Sequence, residues 1–247
     1  MKAAERACIA GIACVAFGAI GAFAPTADAQ PASCPAGNDW PAKVRLEYDV
    51  TASRGPFSIN GESVLVFERN GATYSINLET DSAAIYHMRQ TSRGSVEPGG
   101  LRPAEYVERR GKRIPVTTTF DWSAKSVTFS VAPDSTAETQ PGLQDRATLP
   151  LQLAWLQRAT PAATSFEVPL TGSRSVGVAR FVRQGAESVK VSVGTLEAVR
   201  FERAADHEQD RIEAWFSAEW CGLPVRIRYT DKNGSIIDHR MRGARIE

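Results

Sequence analysis

The sequence predicts a mainly β protein, a strongly curved antiparallel meander that forms a partly open barrel around one buried helix. Three observations predict it. Apolar and polar residues alternate with a period of two along most of the chain. Turn residues recur at hairpin spacing. A single segment carries helical periodicity, and it is apolar on most of its sides.

The first strand shows the pattern most clearly. In Lys43-Val44-Arg45-Leu46-Glu47-Tyr48-Asp49-Val50 every apolar residue falls on one face and every charge on the other, the mark of a half-buried antiparallel strand. Similar strands are predicted from Ser63 to Glu68, Thr73 to Leu78 and Ala84 to Arg89. The loop Glu97-Pro98-Gly99-Gly100 breaks the run. Strands resume from Ala104 to Arg110, Val116 to Trp122 and Ser126 to Val131, with a hairpin turn over Asp121 to Lys125.

The helix is predicted around Leu149 to Leu156. Leu149, Leu153 and Leu156 lie at i, i+4 and i+7, and Leu151 and Trp155 form a second ridge. Pro150 suits the first turn, where its missing N–H costs nothing, and Thr160-Pro161 ends the segment. Strands then return from Ser165 to Leu170, Val176 to Arg183, Ser188 to Val193, Leu196 to Arg203, Arg211 to Phe216 and Val225 to Thr230. Asn233-Gly234 is a strong hairpin signal before a last strand from Ile236 to about Arg242. A meander with one apolar face must cover it, and a helix apolar on most sides fits the concave face of a curled sheet as a plug.

The first 29 residues read as a cleaved signal peptide. Lys2 and Arg6 precede an apolar run from Ala7 to Phe23, and Ala27-Asp28-Ala29 is a small-residue cleavage site. The alternative is an uncleaved membrane anchor, for which the run is short and only weakly apolar. Residues 30–42 form a Pro-rich tail and 43–247 a single β-rich domain. A periplasmic location follows, with no span after cleavage. Cys8 and Cys14 leave with the leader, so Cys34 and Cys221 are expected to form one disulfide that pins the tail near Trp220.

Composition narrows the partners. With 29 basic and 28 acidic residues the formal charge is +1, which gives no global signal for nucleic acid. Local charge is less even. Glu108-Arg109-Arg110-Gly111-Lys112-Arg113 is the densest basic run, able to contact lipid phosphates or an acidic partner, although a solvated hairpin tip accounts for it. Arg226, Arg228, Arg240, Arg242 and Arg245 would cluster if the last two strands pair.

No catalytic motif emerges. His87, His207 and His239 lie far apart, without metal-ligand spacing. There is no nucleophile elbow, and Thr171-Gly172-Ser173-Arg174-Ser175 reads as a turn. No phosphate-binding glycine loop or dinucleotide fingerprint occurs, so neither a cofactor nor a metal is expected. Tyr48, Phe67, Tyr74, Phe181, Phe201 and Phe216 fall on strand apolar faces, where they either fill a core or line a cleft.

Several short motifs resemble the bacterial envelope family known as domain of unknown function 3108. They are Gly100-Leu101-Arg102-Pro103-Ala104-Glu105-Tyr106, Thr119-Phe120-Asp121-Trp122, Val127-Thr128-Phe129-Ser130 and Gly142-Leu143-Gln144-Asp145-Arg146. Gly194-Thr195-Leu196-Glu197-Ala198-Val199, Trp215-Phe216-Ser217-Ala218 and Leu223-Pro224-Val225-Arg226-Ile227 extend the match. The resemblance implies an exported protein with a fold similar to the lipoprotein carriers LolA and LolB, which are unclosed barrels with helices over an apolar cavity. It implies no catalytic residue, and Cys34 and Cys221 stand outside the pattern.

The functional expectation is a non-catalytic binder or carrier of an apolar ligand, a lipid or acyl chain, with Tyr48, Phe67, Tyr74, Leu153 and Trp155 as lining residues. Ligand would displace the helix and take over its apolar contacts. The alternative is an envelope interaction module whose barrel is filled by its own side chains. A cofactor-free enzyme is the third reading.

Overall fold

The computed structural model describes residues 34, 39–82, 86–172, 174–203 and 210–247. The leader and most of the Pro-rich tail lie outside these, as do His207 and Ser173. Strands β1 (Lys43–Arg54), β2 (Phe57–Asn70), β3 (Thr73–Ser82), β4 (Tyr86–Glu97), β5 (Gly100–Arg110), β6 (Val116–Asp121), β7 (Ser126–Phe129) and β8 (Ala132–Glu138) form one meander. Helix α1 (Leu149–Ala159) follows. A second meander comprises β9 (Ser165–Thr171), β10 (Val176–Val191), β11 (Gly194–Arg203), β12 (Arg211–Ser217), β13 (Leu223–Thr230) and β14 (Ile236–Ile246).

All strand pairs are antiparallel, and β1 pairs with β14, which joins the meanders into one sheet of 14 strands with β8 and β9 as its unclosed edges. The curled, mainly β architecture is as the sequence predicts. Several strands differ from the reading. β2 begins at Phe57 and β5 at Gly100, earlier than predicted, β3 continues to Ser82 and β4 to Glu97, β8 was not foreseen, and β10 is one long strand rather than two, with a bulge between Arg183 and Gly185. Gly185 sits at φ +112°, a conformation that favours glycine. Beyond it the β10–β11 arm crosses the outer face to reach β14, where the Ser192 N–H donates to the Met241 carbonyl at 3.0 Å.

The two apolar ridges read from the helix go to two different clusters. Leu151 and Trp155 pack into the larger one with Leu46, Tyr48, Phe67, Tyr74 and Val225. Leu149, Leu153, Ala154 and Leu156 pack into the second with Phe166, Phe181, Phe201 and Phe216. A helix apolar on most sides is therefore the part shared by two cores, which is why it lies inside the barrel.

Meander topology sorts the turns into two ends. The β2–β3, β4–β5, β6–β7 and β12–β13 turns lie at one end, here called the base. The β1–β2, β5–β6, β7–β8, β9–β10 and β13–β14 turns lie at the other, the rim. At the base, Cys34 and Cys221 form a disulfide with sequence separation 187. Cys221 follows the 3-10 turn Ala218–Trp220, so the bond falls beside Trp220 as expected. Trp40 is buried there against Phe67, with ring centroids 5.2 Å apart.

Candidate functional site

The segment between the sheet edges organises the interior. Leu143, Gln144 and Asp145 are fully buried. Gln144 donates its N–H to the Pro169 carbonyl and accepts from the Thr171 N–H, both at 2.9 Å, so it extends the edge strand β9. Its Nε2 donates to the Leu101 carbonyl of β5 at 2.7 Å. One residue thus ties the two meanders across the barrel and satisfies edge groups that would otherwise be orphaned.

Asp145 shapes the next turn. One carboxylate oxygen accepts from the Ala147 and Thr148 N–H groups at 2.8 and 2.9 Å. The other accepts from Ser92 Oγ at 2.6 Å, and Tyr74 Oη lies 3.0 Å from that hydroxyl. Burial raises the Asp145 pKa to about 6, because desolvation outweighs these hydrogen bonds to the charged form. The turn starts α1, whose Leu149 N–H donates to the Asp145 carbonyl at 3.1 Å.

The helix is held midway by Gln152. Its Oε1 accepts from the Leu101 N–H at 2.8 Å, and its Nε2 donates to the Gly99 carbonyl at 2.9 Å. Gly100 is obligatory at this contact. It adopts φ +112°, and a Cβ there would come within 2.2 Å of Gln152 Oε1. The motif around Gly100 is therefore the socket of the helix.

Space inside the barrel is unevenly distributed. At the base, between Trp40, Leu151, Ala154, Arg158 and Leu223, about 10 Å³ remains, at or below what one water needs. At the rim, beside the first turn of α1, a cavity of about 280 Å³ remains. Leu149, Leu170, Ala179 and Ile212 border it on the apolar side, and Arg146, Arg203, Asp210 and Tyr229 on the polar side. Arg203 is bound to the Asp210 carbonyl. Gly177 shares the inward face of β10 with the buried Ala179 and Phe181, and a Cβ added there would meet nothing within 4 Å. Small residues on that strand make the room. Behind the cavity the His239 ring is edge-on to both Tyr229 and Tyr48, with centroids 6.0 Å apart in each case. Burial lowers the His239 pKa to about 4, which keeps it neutral.

None of the five lining residues read from the sequence borders this cavity. Tyr48 is buried and donates its hydroxyl to the Pro224 carbonyl at 2.8 Å. Phe67 and Tyr74 stack at 6.2 Å, and Trp155 packs against the same cluster. Leu153 lies in the other cluster. Tyr74 also borders an open groove of about 750 Å³ beside Arg102 and Trp122, where the guanidinium stacks 4.5 Å from the ring. The residues that sequence reasoning missed are Arg146, Leu149, Gly177 and Tyr229. The usable signal was the pair of small residues, Gly177 and Ala179, on an inward face otherwise filled by large side chains.

The arginine cluster forms and is ion-paired. Arg226 grips Asp238 through two hydrogen bonds of 2.8 and 2.6 Å. Arg228 and Arg240 reach the same carboxylate at 3.2 and 2.9 Å, and Arg242 pairs with Glu62 at 2.6 Å. These arginines hold Asp238 below the usual carboxylate range despite its burial. Trp215 lies in this cluster, 3% exposed, with Arg226 at 4.8 Å over its ring. Among the described residues no group of three or more His, Cys, Asp or Glu side chains could hold a metal ion.

An unclosed antiparallel barrel with one internal helix and a small cavity at its rim defines a β-barrel-like protein class. The chain belongs to the family described as a protein of unknown function, DUF3108, whose model matches residues 47–241. Its fold is similar to that of a β-barrel-like DUF1849 protein from Brucella abortus, at TM-score 0.54 and 15% identity, covering 83% of this chain and 98% of that one. A DUF1329 family protein from Desulfovibrio piger aligns at TM-score 0.26 and 10% identity, over 85% and 88% of the two chains. No curated protein matches the sequence. Among the described residues no helix is long and apolar enough to cross a membrane.

Proposed function

We propose that this chain is an exported, periplasmic binder of a small amphiphile, a lipid fragment or acyl chain, held in the rim cavity. The observation that carries this reading is the cavity's composition. An apolar wall of Leu149, Leu170, Ala179 and Ile212 faces a mouth that holds Arg146 and Tyr229. Such a site takes an apolar tail inward and a polar or anionic head outward. Arg146 is exposed and, among the described residues, its side chain has no ion-pair or hydrogen-bond partner. In this reading α1 stays in place, because Gln152 and the Asp145 turn anchor it, and the ligand meets only its first turn.

Titration with a fluorescent fatty acid tests the reading. The native chain should bind it saturably at one site. Gly177→Phe, which fills the cavity from an unstrained position, should weaken binding at least tenfold, since a blocked site removes most of the buried apolar contact. Equal binding by both proteins would refute the site.

A second reading is an envelope protein-interaction module with a self-filled barrel. The close packing around Trp40, Leu151 and Leu223, where about 10 Å³ remains, favours it. The arginine cluster does not serve it well as a surface, because those guanidiniums are already ion-paired to Asp238 and Glu62.

A further inference from the structure

The rim carries a second feature that the cavity does not explain. Six large apolar side chains are exposed among the described residues, and four of them lie on rim hairpins. Phe57 is 77% exposed at the β1–β2 tip with Ile59 just below it, and Ile114 is 89% exposed in the β5–β6 connection. Val131 lies in the β7–β8 turn. A fifth, Val178, borders the cavity itself. Nothing in the fold requires apolar residues at these tips, where turn residues are normally polar.

The basic run seen in the sequence falls in the same place. Arg109, Lys112 and Arg113 flank Ile114, all exposed, and among the described residues their side chains have no ion-pair or hydrogen-bond partner. Arg54 lies next to Phe57, and Arg174 stands in the β9–β10 turn. Acids at this end are mostly engaged. Asp81 meets His87 at 2.5 Å, Glu108 meets Arg110 at 2.6 Å, and Asp231 accepts from the N–H groups of Asn233 and Ser235 at 2.8 Å each. Among the described residues Asp134 and Asp210 remain, while the end of β5 and the β5–β6 connection alone carry the exposed Arg109, Lys112 and Arg113.

We propose that this rim docks on the surface of an anionic lipid bilayer. Separate apolar fingers flanked by unpaired cations suit a fluid interface, which accepts each finger without a matching pit. A protein partner would need a pocket for every tip. The lipid phosphates would meet Arg109, Lys112 and Arg113, while Phe57 and Ile114 enter the headgroup boundary. Docking in this orientation sets the mouth of the cavity against the membrane, yet it does not require the cavity to bind anything.

Vesicle flotation tests it, with phosphatidylcholine vesicles and with vesicles that also contain phosphatidylglycerol. The protein should float with the mixed vesicles and much less with the neutral ones, and added salt should weaken the association. Arg109→Gln with Lys112→Gln and Arg113→Gln should lower partitioning on the order of a hundredfold. Phe57→Ser with Ile114→Ser should lower it at least tenfold. All five positions are exposed, so thermal unfolding of both variants should match the native chain. Absence of flotation, equal flotation on both vesicle types, or variants that float like the native chain would each overturn the proposal. Gly177→Phe should float normally, so a failure of docking and a failure of the cavity reading give different results.

Discussion

The base and the rim of this barrel are built from the same strands and finished in opposite ways. At the base, Trp40 packs on Phe67, a disulfide joins Cys34 to Cys221, and the Gln152 amide fills its socket at Gly99 and Leu101. The start of β1 meets residue 247 there as well, since the Lys43 N–H donates to the Glu247 carbonyl at 3.0 Å and the Glu247 N–H to the Lys43 carbonyl at 2.9 Å. At the rim the same sheet stops at hairpin tips, leaves a cavity of about 280 Å³ and exposes Phe57 and Ile114. The difference teaches where each property resides. The cross-link and the Gln152 socket sit at the closed end, while the open end carries apolar tips and a cavity that a packed core would not tolerate.

The largest test of this division is the disulfide. Replacing Cys34 and Cys221 by Ser should lower stability by up to about 5 kcal/mol, the loop-entropy value for so long a closed segment. Chemical denaturation of oxidised and substituted protein measures it. Ligand binding at the rim should persist under native conditions, and its loss in a still-folded double variant would break the separation of the two ends.

Two buried titrating groups sharpen the comparison, because they pull stability in opposite directions. Asp145 binds its proton more tightly when folded, with a pKa raised to about 6 from 3.8. The folded chain thus holds more protons between those values, and stability falls as pH rises through that window, by about 3 kcal/mol. His239 is lowered to about 4 from 6.5. There the unfolded chain holds more protons, so stability rises with pH by a similar amount. Asp145 faces Ser92, the Thr148 turn and the neutral Tyr74 and Tyr106; His239 faces Tyr48, Tyr229 and the neighbouring Asp238. The native chain should therefore show a shallow stability profile from pH 4.5 to 6.5. Asp145→Asn should become less stable on acidification and His239→Gln more stable. Denaturation midpoints across pH read both slopes, and parallel profiles for the two variants would contradict the assignment.

A smaller effect is expected at the helix socket. Gln152→Leu leaves the Leu101 N–H and the Gly99 carbonyl without partners and should cost about 2 kcal/mol. If the helix is anchored rather than displaced, this variant should also loosen ligand binding only slightly. A strong gain in affinity would instead favour wholesale displacement of α1.

Much of the fold was legible. Alternation in β1 and the double ridge of α1 both follow from residue type, and the two ridges do face two cores. The unread strands have physical reasons. β8, Ala132–Glu138, is a mostly exposed edge strand and carries no inward apolar face. The unread part of β4, from Gln90 on, turns Gln90 and Ser92 inward, both buried, because they serve Tyr106 and Asp145 rather than an apolar core. A polar interior erases the period-two signal. In β10 the glycine at the bulge imitated a turn. The site was less legible for a related reason. Tyr48, Phe67, Tyr74, Leu153 and Trp155 are large side chains, and large side chains fill space. Empty volume arises where Gly177 and Ala179 stand, and a missing side chain leaves little trace in a single sequence.

Native mass spectrometry of protein purified without detergent is the most direct test of the central claim, that the rim cavity binds an amphiphile while the base holds the fold. The account predicts a stoichiometric adduct, released on denaturation, on the native chain and its absence from Gly177→Phe at unchanged thermal stability. An adduct of equal occupancy on both proteins, or a bare chain that takes up no envelope lipid on incubation, would contradict it.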